Sequence, residues 1–354
     1  MKKIELQLLT TLQCNLKCSY CSEEVGGTRS PVPTPIEYTY EQLDAFVNKF
    51  LDGVGVYVTF YGGEPTMNHK FMADIIELYP FWGYQLQTNG TLLHKMAPTL
   101  IEYMDNILVS VDGNRHVTDK YRGEGVFDQV MANVEHIRPH ISGLLTARVT
   151  LSDPDITAQD ITDLLHSFDY VYFQFVAGEA YSPEYVIKMK LLLDELVAKY
   201  FDTKALLRIV PIMGTVRNKL RPDLAPFDTQ CRTSTHLLNV MPNGDIYPCP
   251  DMLYRKELRM GSIQENELYH SKLQQDPDMP CWKCSAFEWC KSNCLKNLHI
   301  GYVDKDSEYA AKVTDPICDL IRYMGLLIDA RIKDYKVPIE VLNSPIYQYV
   351  EVMP

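Results

Sequence analysis

Three cysteines stand on one short segment near the start of the chain, at the spacing C-x3-C-x2-C: Cys14, Cys18 and Cys21. Three thiolates on a short loop can converge on a cubic [4Fe–4S] cluster and ligate three of its irons. The fourth iron is then open to a chelating ligand, such as the amine and carboxylate of an amino acid. The alternatives are a three-cysteine zinc corner and a set of buried free thiols.

A second group of cysteines occupies the last third of the chain, and none lies between Cys21 and Cys231. A disulfide scaffold would normally be shorter and carry an export signal, so clustered thiols here favour metal ligation. A single zinc ribbon would use four thiols and leave three unexplained. The members of this group are Cys231, Cys249, Cys281, Cys284, Cys290, Cys294 and Cys318.

The composition sets limits on partners and on location. The chain has 354 residues, of which 46% are hydrophobic and 23% charged, an ordinary balance for a globular protein with an apolar core. A net charge of -12 disfavours a nucleic-acid-binding surface. No apolar run reaches the ~18 residues of a membrane span, and the start lacks a signal-peptide stretch. We therefore expect a cytoplasmic protein without membrane or nucleic-acid partners.

Strand-like and helical patterns alternate through the first part of the chain, which predicts βα units and a parallel sheet. The units are too few for a closed eightfold barrel, so we predict an α/β fold with a partial (β/α)6 TIM-like barrel. Helices are predicted from a capping box at Thr39, after a cap at Asn68, and over Phe127–Ile137 and Tyr185–Tyr200. The predicted strands are Leu6–Leu9, Tyr57–Tyr61, Tyr84–Gln87, Ile107–Val111, Leu145–Thr150, Val171–Val176 and Leu207–Pro211.

The sequence pattern changes after Pro222. A tight β-hairpin is predicted where Pro242–Asp245 separates Leu237–Met241 from Ile246–Tyr247, and a late helix over Ile317–Tyr335. We predict a cysteine-rich β-hairpin and helix domain in this region. The predicted domains are the partial barrel (1–222), the cysteine-rich domain (223–320) and a C-terminal helix and tail (321–354).

With Tyr20 before its last cysteine, the Cys14–Cys21 loop resembles the signature of the radical S-adenosylmethionine (SAM) superfamily. The resemblance implies a [4Fe–4S] cluster that donates an electron to SAM, so that a 5′-deoxyadenosyl radical abstracts hydrogen from a substrate. The protein then has to position and shield these groups.

Segments at or near the ends of successive strands are similar to SAM-binding segments of the same superfamily. Read without the resemblance, the glycine pair is a plain turn and Arg148 a surface arginine. The resemblance implies that Gly62–Pro65 binds the SAM amino group and that Arg148 pairs with its carboxylate. The complete set of implied SAM contacts is Gly62, Gly63, Glu64, Pro65, Gln87, Asn89, Ser110, Asp112 and Arg148.

The later cysteines resemble the SPASM domain, which carries two auxiliary iron–sulfur clusters in some radical SAM enzymes. No cysteine within Arg232–Pro248 completes the nearer cluster, so another residue, water or an open iron is expected there. The resemblance implies an electron-accepting role for the pair. It assigns Cys281, Cys284, Cys290 and Cys318 to the distal cluster, and Cys231, Cys249 and Cys294 to the nearer one.

Asp251 is a candidate general base. Related enzymes that oxidise peptidyl serine or cysteine place an aspartate one residue after the cysteine that Cys249 matches, and here Pro250 shifts the acid by one position. The alternative is an ordinary loop acid.

The resemblance implies modification of a peptide or protein, by crosslinking, thioether formation or side-chain oxidation. Dehydrogenation of a small molecule is the alternative enzyme class, and an iron–sulfur electron carrier the non-enzyme alternative. An electron donor such as flavodoxin or ferredoxin is implied. Because Cys14 follows the first strand directly, we expect either a separate peptide-recognition protein or direct reading of the target.

Overall fold

The computed structural model describes residues 3–21, 35–224, 231–233, 236–253, 255–271 and 279–349. Contacts between residues divide the chain into two units, each assembled from separate stretches. The predicted domain boundaries at 222 and 320 stay predictions. The first unit comprises Met1–Ser110, Asp119–Leu145 and Arg232–Gln275, and the second comprises Val111–Thr118, Thr146–Cys231 and Asp276–Pro354.

The described residues form ten β-strands. These are β1 (Lys3–Thr11), β2 (Gly55–Gly62), β3 (Gly83–Thr88), β4 (Asn106–Ser110), β5 (Leu144–Leu151), β6 (Tyr170–Phe175), β7 (Leu237–Val240), β8 (Asp245–Tyr247), β9 (Gly261–Ser262) and β10 (Glu267–Leu268).

Among the same residues, none of the helices is both long enough and apolar enough to cross a membrane. The α-helices are α1 (Tyr40–Phe50), α2 (His69–Leu78), α3 (Pro98–Glu102), α4 (Arg115–Arg122), α5 (Val126–Ile137), α6 (Ala158–Asp163), α7 (Pro183–Asp202), α8 (Val210–Leu220), α9 (Phe287–Cys290), α10 (Leu295–Leu298), α11 (Ser307–Tyr309), α12 (Asp315–Ile332) and α13 (Ile339–Asn343).

The first unit is built on one sheet with the strand order β10-β9-β8-β7-β1-β2-β3-β4. Strands β1 to β4 are mutually parallel, and β7 runs parallel to β1. The later strands β8, β9 and β10 add in antiparallel fashion. Leu8, Val58, Phe60 and Leu86 are completely buried along the parallel strands. Because these strands are parallel, the carboxyl ends of β1 to β4 meet at one edge of the sheet.

In the second unit, β5 and β6 pair in parallel from Thr146 onwards. Helices α7 and α12 pack together, and buried apolar residues occur on both, among them Met189 and Leu320. At their exposed margins Lys190 lies 2.6 Å from Asp319, and the Tyr323 hydroxyl donates to Asp194. Helix α12 is therefore held against α7 by packing, by an ion pair and by a hydrogen bond.

Six of the seven strand predictions are confirmed, and the seventh is wrong. Leu207–Pro211 does not form a strand: Ile209 makes an isolated parallel bridge to Val171, and helix α8 begins at Val210. Pro211 explains the difference, since its fixed φ and missing N–H suit the first turn of a helix. The short segment Leu206–Val210, apolar except for Arg208, fits the start of a buried helix as well as a strand.

The predicted helices are present, but one predicted cap is wrong. Helix α2 follows Asn68, whose side chain makes no capping hydrogen bond. Its Nδ2 instead donates to the Thr10 carbonyl at 2.8 Å, near the end of β1. Asn68 therefore fixes the loop after β2 to the neighbouring strand.

The capping box predicted at Thr39 is confirmed, and it leads to a stability prediction. The Thr39 hydroxyl accepts from the Gln42 N–H at 3.2 Å, and the Gln42 side chain accepts from the Thr39 N–H at 2.8 Å. Thr39→Ala should lower the free energy of unfolding by about 1 kcal/mol, measured by denaturant titration, because the helix-terminal N–H of Gln42 loses its side-chain acceptor. Glu77→Ala, at an exposed position of α2, is the control and should change it much less. Equal losses in both variants would contradict the capping assignment.

Candidate functional site

The loop that carries Cys14, Cys18 and Cys21 begins where β1 ends. The Leu16 N–H and the Asn89 side-chain amide both donate to the Cys14 sulfur, at 3.4 Å and 3.6 Å. The Cys21 N–H donates to the Cys18 carbonyl at 3.1 Å and so closes a turn between the last two thiols. The described residues thus hold Cys14 with two donors, the type of contact that stabilises a thiolate.

The three thiols of this loop lie within electrostatic range of one another. Desolvation raises the pKa of Cys21 to about 12, and the neighbouring Cys18 and Cys14 thiols add to the increase. Burial likewise raises the pKa of Cys14. Thiolates crowded in this way need a compensating positive charge, which a cationic iron centre would supply.

Gly62 and Gly63 allow the loop after β2 to approach the cysteine loop at backbone distance. A Cβ at Gly62, where φ is +132°, would lie 2.1 Å from the Thr11 carbonyl oxygen, and one at Gly63 would lie 2.2 Å from that of Gln13. The Gly63 and Glu64 N–H groups donate to these two carbonyls at 2.9 Å and 2.8 Å. Only glycine fits this contact, so the sequence pair is more than a plain turn.

The Glu64 side chain is fully buried and uses both carboxylate oxygens inside the first unit. Oε1 accepts from the Thr66 N–H, the Thr66 hydroxyl and the Thr88 hydroxyl, and Oε2 accepts from the Asn89 N–H at 2.7 Å. Burial raises the pKa of Glu64, and these four hydrogen bonds oppose that increase. The SAM contact of this acid stays a prediction. The hydrogen bonds show that Glu64 links the ends of β2 and β3.

Asn89 connects Glu64 to the cysteine loop. Its Nδ2 donates to Asn15 Oδ1 at 2.9 Å as well as to Cys14, and its Oδ1 accepts from the Thr91 N–H and hydroxyl. Asn15 Nδ2 in turn donates to the Thr91 hydroxyl at 2.8 Å. Sequence analysis predicted Asn89 and missed Asn15 and Thr91. The position of Asn15 between two cysteines was the only available signal for it.

Tyr20, predicted from the motif, packs against residues that no motif indicated. Its ring lies 6.0 Å from that of Tyr121 and 5.4 Å from the Arg122 guanidinium. The Ser19 N–H donates to the Tyr121 carbonyl at 2.9 Å. Arg122 is also close enough to lower the pKa of Cys21. A buried cation beside a cysteine loop is favourable for a cluster whose thiolate ligands carry negative charge.

The remaining predicted SAM contacts differ in exposure. Gln87 is half-buried near the end of β3, and Ser110 is buried at the end of β4. In the second unit Asp112 is fully buried, and its Oδ1 accepts from the Thr150 N–H at 3.0 Å. Arg148 is half-buried, and its Nη2 donates to Gln174 Oε1 at 2.8 Å. Since a guanidinium has five N–H donors, this bond leaves capacity for a carboxylate.

Four of the predicted cluster ligands come together in the second unit. Together with other side chains, they line one cavity. Burial is the main reason that three of these thiols have raised pKa values. The pKa is raised to about 11 for Cys281, to about 12 for Cys318, and above its ordinary value for Cys290. The residues that line the cavity are Cys281, Cys284, Ala286, Phe287, Cys290, Ser292, Asn293, Cys318, Ile321 and Arg322.

The chemistry of this cavity fits a cluster. The four thiols surround one space, as ligands of a polynuclear centre do. Asn293 Nδ2 donates to the Cys318 sulfur at 3.1 Å. Four thiols and a polar donor around one volume are a suitable donor set for a [4Fe–4S] cluster.

The three cysteines predicted for the nearer cluster fall in both units. Cys231 and Cys294 belong to the second unit and Cys249 to the first. Cys231 packs against buried Met279, Leu295 and Leu298, and Cys281 of the distal set packs against the same cluster. This ligand set stays a prediction.

Asp251 lies in the first unit, in a single turn over Pro250–Met252, and is half-buried. Its carboxylate is close enough to raise the pKa of Cys21, although burial and the other thiols contribute more. The structure therefore brings the candidate base within electrostatic range of the cysteine loop, which the sequence alone could not establish.

Comparison with known proteins gives one family match and relatives along most of the chain. The family described as the radical SAM superfamily matches residues 8–168. The cysteine-type anaerobic sulfatase-maturating enzyme of Clostridium novyi is 21% identical over 323 residues, covering 80% of this chain and 85% of that protein. The enzyme of the same name from Clostridium perfringens is 26% identical over 326 residues, covering 80% and 86%.

Solved structures match the fold over similar lengths. Native anSMEcpe with bound AdoMet has a TM-score of 0.71 and 20% identity, covering 93% of this chain and 98% of that one. The same protein with AdoMet and the Kp18Cys peptide has a TM-score of 0.69 and 19% identity, covering 94% and 98%. SuiB of Streptococcus suis has a TM-score of 0.58 and 15% identity, covering 84% and 74%. These likenesses confirm the predicted fold class, an α/β fold with a parallel sheet core in an unclosed barrel.

The family match confirms two of the predicted cofactors at the level of the family, SAM and its [4Fe–4S] cluster, and the auxiliary clusters stay a prediction. Which residues of this chain hold each of them is untested.

The close backbone contact at Gly63 gives a prediction. Gly63→Ala should weaken SAM binding at least about tenfold, because a Cβ 2.2 Å from the Gln13 carbonyl must displace one of the two loops. Equilibrium binding of SAM to the anaerobic, iron-loaded protein measures it. Gly53→Ala is the matched control: φ is +69° there, so strain is introduced, but no atom lies within 4 Å of the added Cβ. Equal loss of affinity in both variants would show that backbone strain alone is responsible.

Proposed function

Because residues 8–168 form a radical SAM domain, we propose that the chain is a maturase that oxidises or crosslinks a side chain of a peptide or protein. The observation that carries the proposal is that a radical SAM domain and a separate four-cysteine cavity occur in one chain. That chain also aligns with anaerobic sulfatase-maturating enzymes over 80% of its length.

We assign the SAM-binding [4Fe–4S] cluster to Cys14, Cys18 and Cys21. Donors to Cys14 from Leu16 and Asn89 support this assignment, as does the cation of Arg122 beside Tyr20. When bound, the cluster and SAM supply the 5′-deoxyadenosyl radical that takes a hydrogen atom from the substrate.

The assignment of SAM contacts combines backbone and side-chain groups. The Gly62–Pro65 loop offers main-chain atoms at the carboxyl edge of the sheet, where ligands of parallel α/β folds bind. Glu64 holds this loop in place through Thr66, Thr88 and Asn89. In the second unit Arg148 provides a guanidinium for the SAM carboxylate, and Gln174 orients it.

We assign the distal auxiliary cluster to Cys281, Cys284, Cys290 and Cys318, and the nearer one to Cys231, Cys249 and Cys294. Within the second unit, Cys281 and Cys231 border one apolar cluster of Met279, Leu295 and Leu298. An apolar, close-packed medium between two redox sites excludes water, which favours transfer of electrons over side reactions.

For side-chain oxidation the balance of the reaction requires a base. Loss of a hydrogen atom from the substrate carbon leaves a substrate radical, which must lose one electron and one proton to form a carbon–heteroatom double bond. A cluster held by the auxiliary cysteines would supply the one-electron acceptor. We propose that Asp251 takes the proton, since it is half-buried and lies in electrostatic range of Cys21.

The substrate class follows from the relatives. Two of them are named as cysteine-type sulfatase-maturating enzymes, and the fold is that of a protein solved with a peptide described as Kp18Cys. We therefore propose a peptidyl cysteine or serine as the first substrate to test. We further propose that flavodoxin or ferredoxin donates electrons to the protein, that a separate protein presents the peptide, and that the location is cytoplasmic.

Separate roles for the cysteine groups give a direct test. Cys18→Ala should abolish formation of 5′-deoxyadenosine, because the open-iron cluster is lost, while the distal cluster keeps its absorbance. Cys284→Ala should stop peptide oxidation and retain at least part of SAM cleavage. Chromatography of 5′-deoxyadenosine and mass spectrometry of a cysteine- or serine-bearing peptide, both under anaerobic conditions, measure these outcomes. Loss of SAM cleavage to the same extent in both variants would contradict separate roles.

The proposed base has its own test. Asp251→Asn removes the proton acceptor with little change in shape, so oxidised peptide should fall at least about a hundredfold. Formation of 5′-deoxyadenosine should continue and become uncoupled from product. Glu257→Gln, at an exposed acid six positions later, is the control and should leave both yields unchanged. If oxidised peptide forms at the wild-type rate in Asp251→Asn, Asp251 is not the base.

A further inference from the structure

The segment after Cys290 has an unusual backbone. Lys291 and Ser292 both have positive φ angles, 57° and 76°, although neither is glycine. Such residues are uncommon, and they persist where the surrounding structure over-determines them, often at functional sites. This turn directs the following residues onto the cavity lined by Cys281, Cys284, Cys290 and Cys318.

Two donors from this turn already contact cavity thiols. The Ser292 backbone N–H donates to the Cys290 sulfur. The Asn293 amide nitrogen donates to the Cys318 sulfur at 3.1 Å. Both residues line the cavity and are buried, with 4% of their surface exposed. The turn therefore acts as a source of hydrogen bonds directed at the cluster ligands.

A third donor in this turn is unused. The Ser292 hydroxyl is buried and has no hydrogen-bond partner among the described residues, and Asn293 Oδ1 is likewise unpartnered. A buried hydroxyl normally finds a partner, since leaving it unpaired costs the desolvation of the group. Because Ser292 lines the cavity, a sulfur atom of a cluster held there is a partner that would satisfy it.

We propose that Ser292 is a positioning residue that tunes the distal cluster: its hydroxyl donates to a cluster sulfur and raises the reduction potential. Hydrogen bonds to cluster sulfurs stabilise the reduced state, which carries one more negative charge. With the hydrogen bonds from Ser292 and Asn293, the distal cluster would be a better electron acceptor than the same cluster with its four thiolate ligands and no such hydrogen bonds. The inference rests on the proposed function, because it requires that these four cysteines hold a cluster.

The test measures a potential rather than activity. Ser292→Ala and Ser292→Gly both remove the hydroxyl, and glycine in addition tolerates φ = 76° without strain. EPR-monitored redox titration of the full-length, iron-loaded protein should show one midpoint shifted to a more negative potential in both variants. The other clusters serve as internal references. Ser285→Ala, at an exposed serine beside Cys284, is the matched control and should leave every midpoint unchanged.

Several outcomes would overturn the proposal. Unchanged midpoints in both Ser292 variants, with iron content as in the wild type, would show that the hydroxyl does not reach the cluster. Loss of iron in Ser292→Ala together with a wild-type midpoint in Ser292→Gly would show that the effect comes from backbone strain at this position and not from the hydroxyl. A variant in which Cys281, Cys284, Cys290 and Cys318 are all replaced tests the proposed function itself. If its iron content and EPR spectrum equalled those of the wild type, the proposed function would fail.

Discussion

Burial of the Glu64 carboxylate obliges the first unit to supply donors, because an unpaired buried charge is strongly destabilising. The donors come from Thr66, just after β2, and from Thr88 and Asn89, at the end of β3. Asn89 then contacts Cys14. One acid thus fixes the two strand ends relative to each other and, through Asn89, relative to the cysteine loop.

In the second unit, helices and turns rather than the edge of a parallel sheet bring four thiols together. Short helices and turns bring Cys281, Cys284 and Cys290 together locally, and the long helix α12 contributes Cys318. Trp289 packs directly against Gly325 of α12, where a Cβ would lie 2.5 Å from the indole ring. Close helix contact at Gly325 therefore helps to determine where Cys318 sits relative to the other three thiols.

Local signals in the sequence predicted elements where propensity and tertiary context agree. The capping box at Thr39, the hairpin at Pro242–Asp245 and the periodic helix α7 are of this kind. Two predictions failed for different reasons. Helix α8 begins at Val210 because Pro211 suits its first turn, a local signal that the strand prediction did not weigh. Asn68 donates to the Thr10 carbonyl rather than capping α2, and that contact joins residues far apart in the chain.

The sequence by itself determined which groups can do chemistry, since cysteine spacing, paired glycines and strand ends are local features of a chain. It therefore predicted the radical SAM domain and the division of thiols into groups. Only the tertiary structure decided how those groups are held: Asn15 and Thr91 beside Cys14, Arg122 beside Tyr20, and Ser292 at the distal cavity. Most of these contacts join residues that are far apart in the sequence. Which of them form depends on burial in the folded chain, and the spacing of residues does not predict that burial.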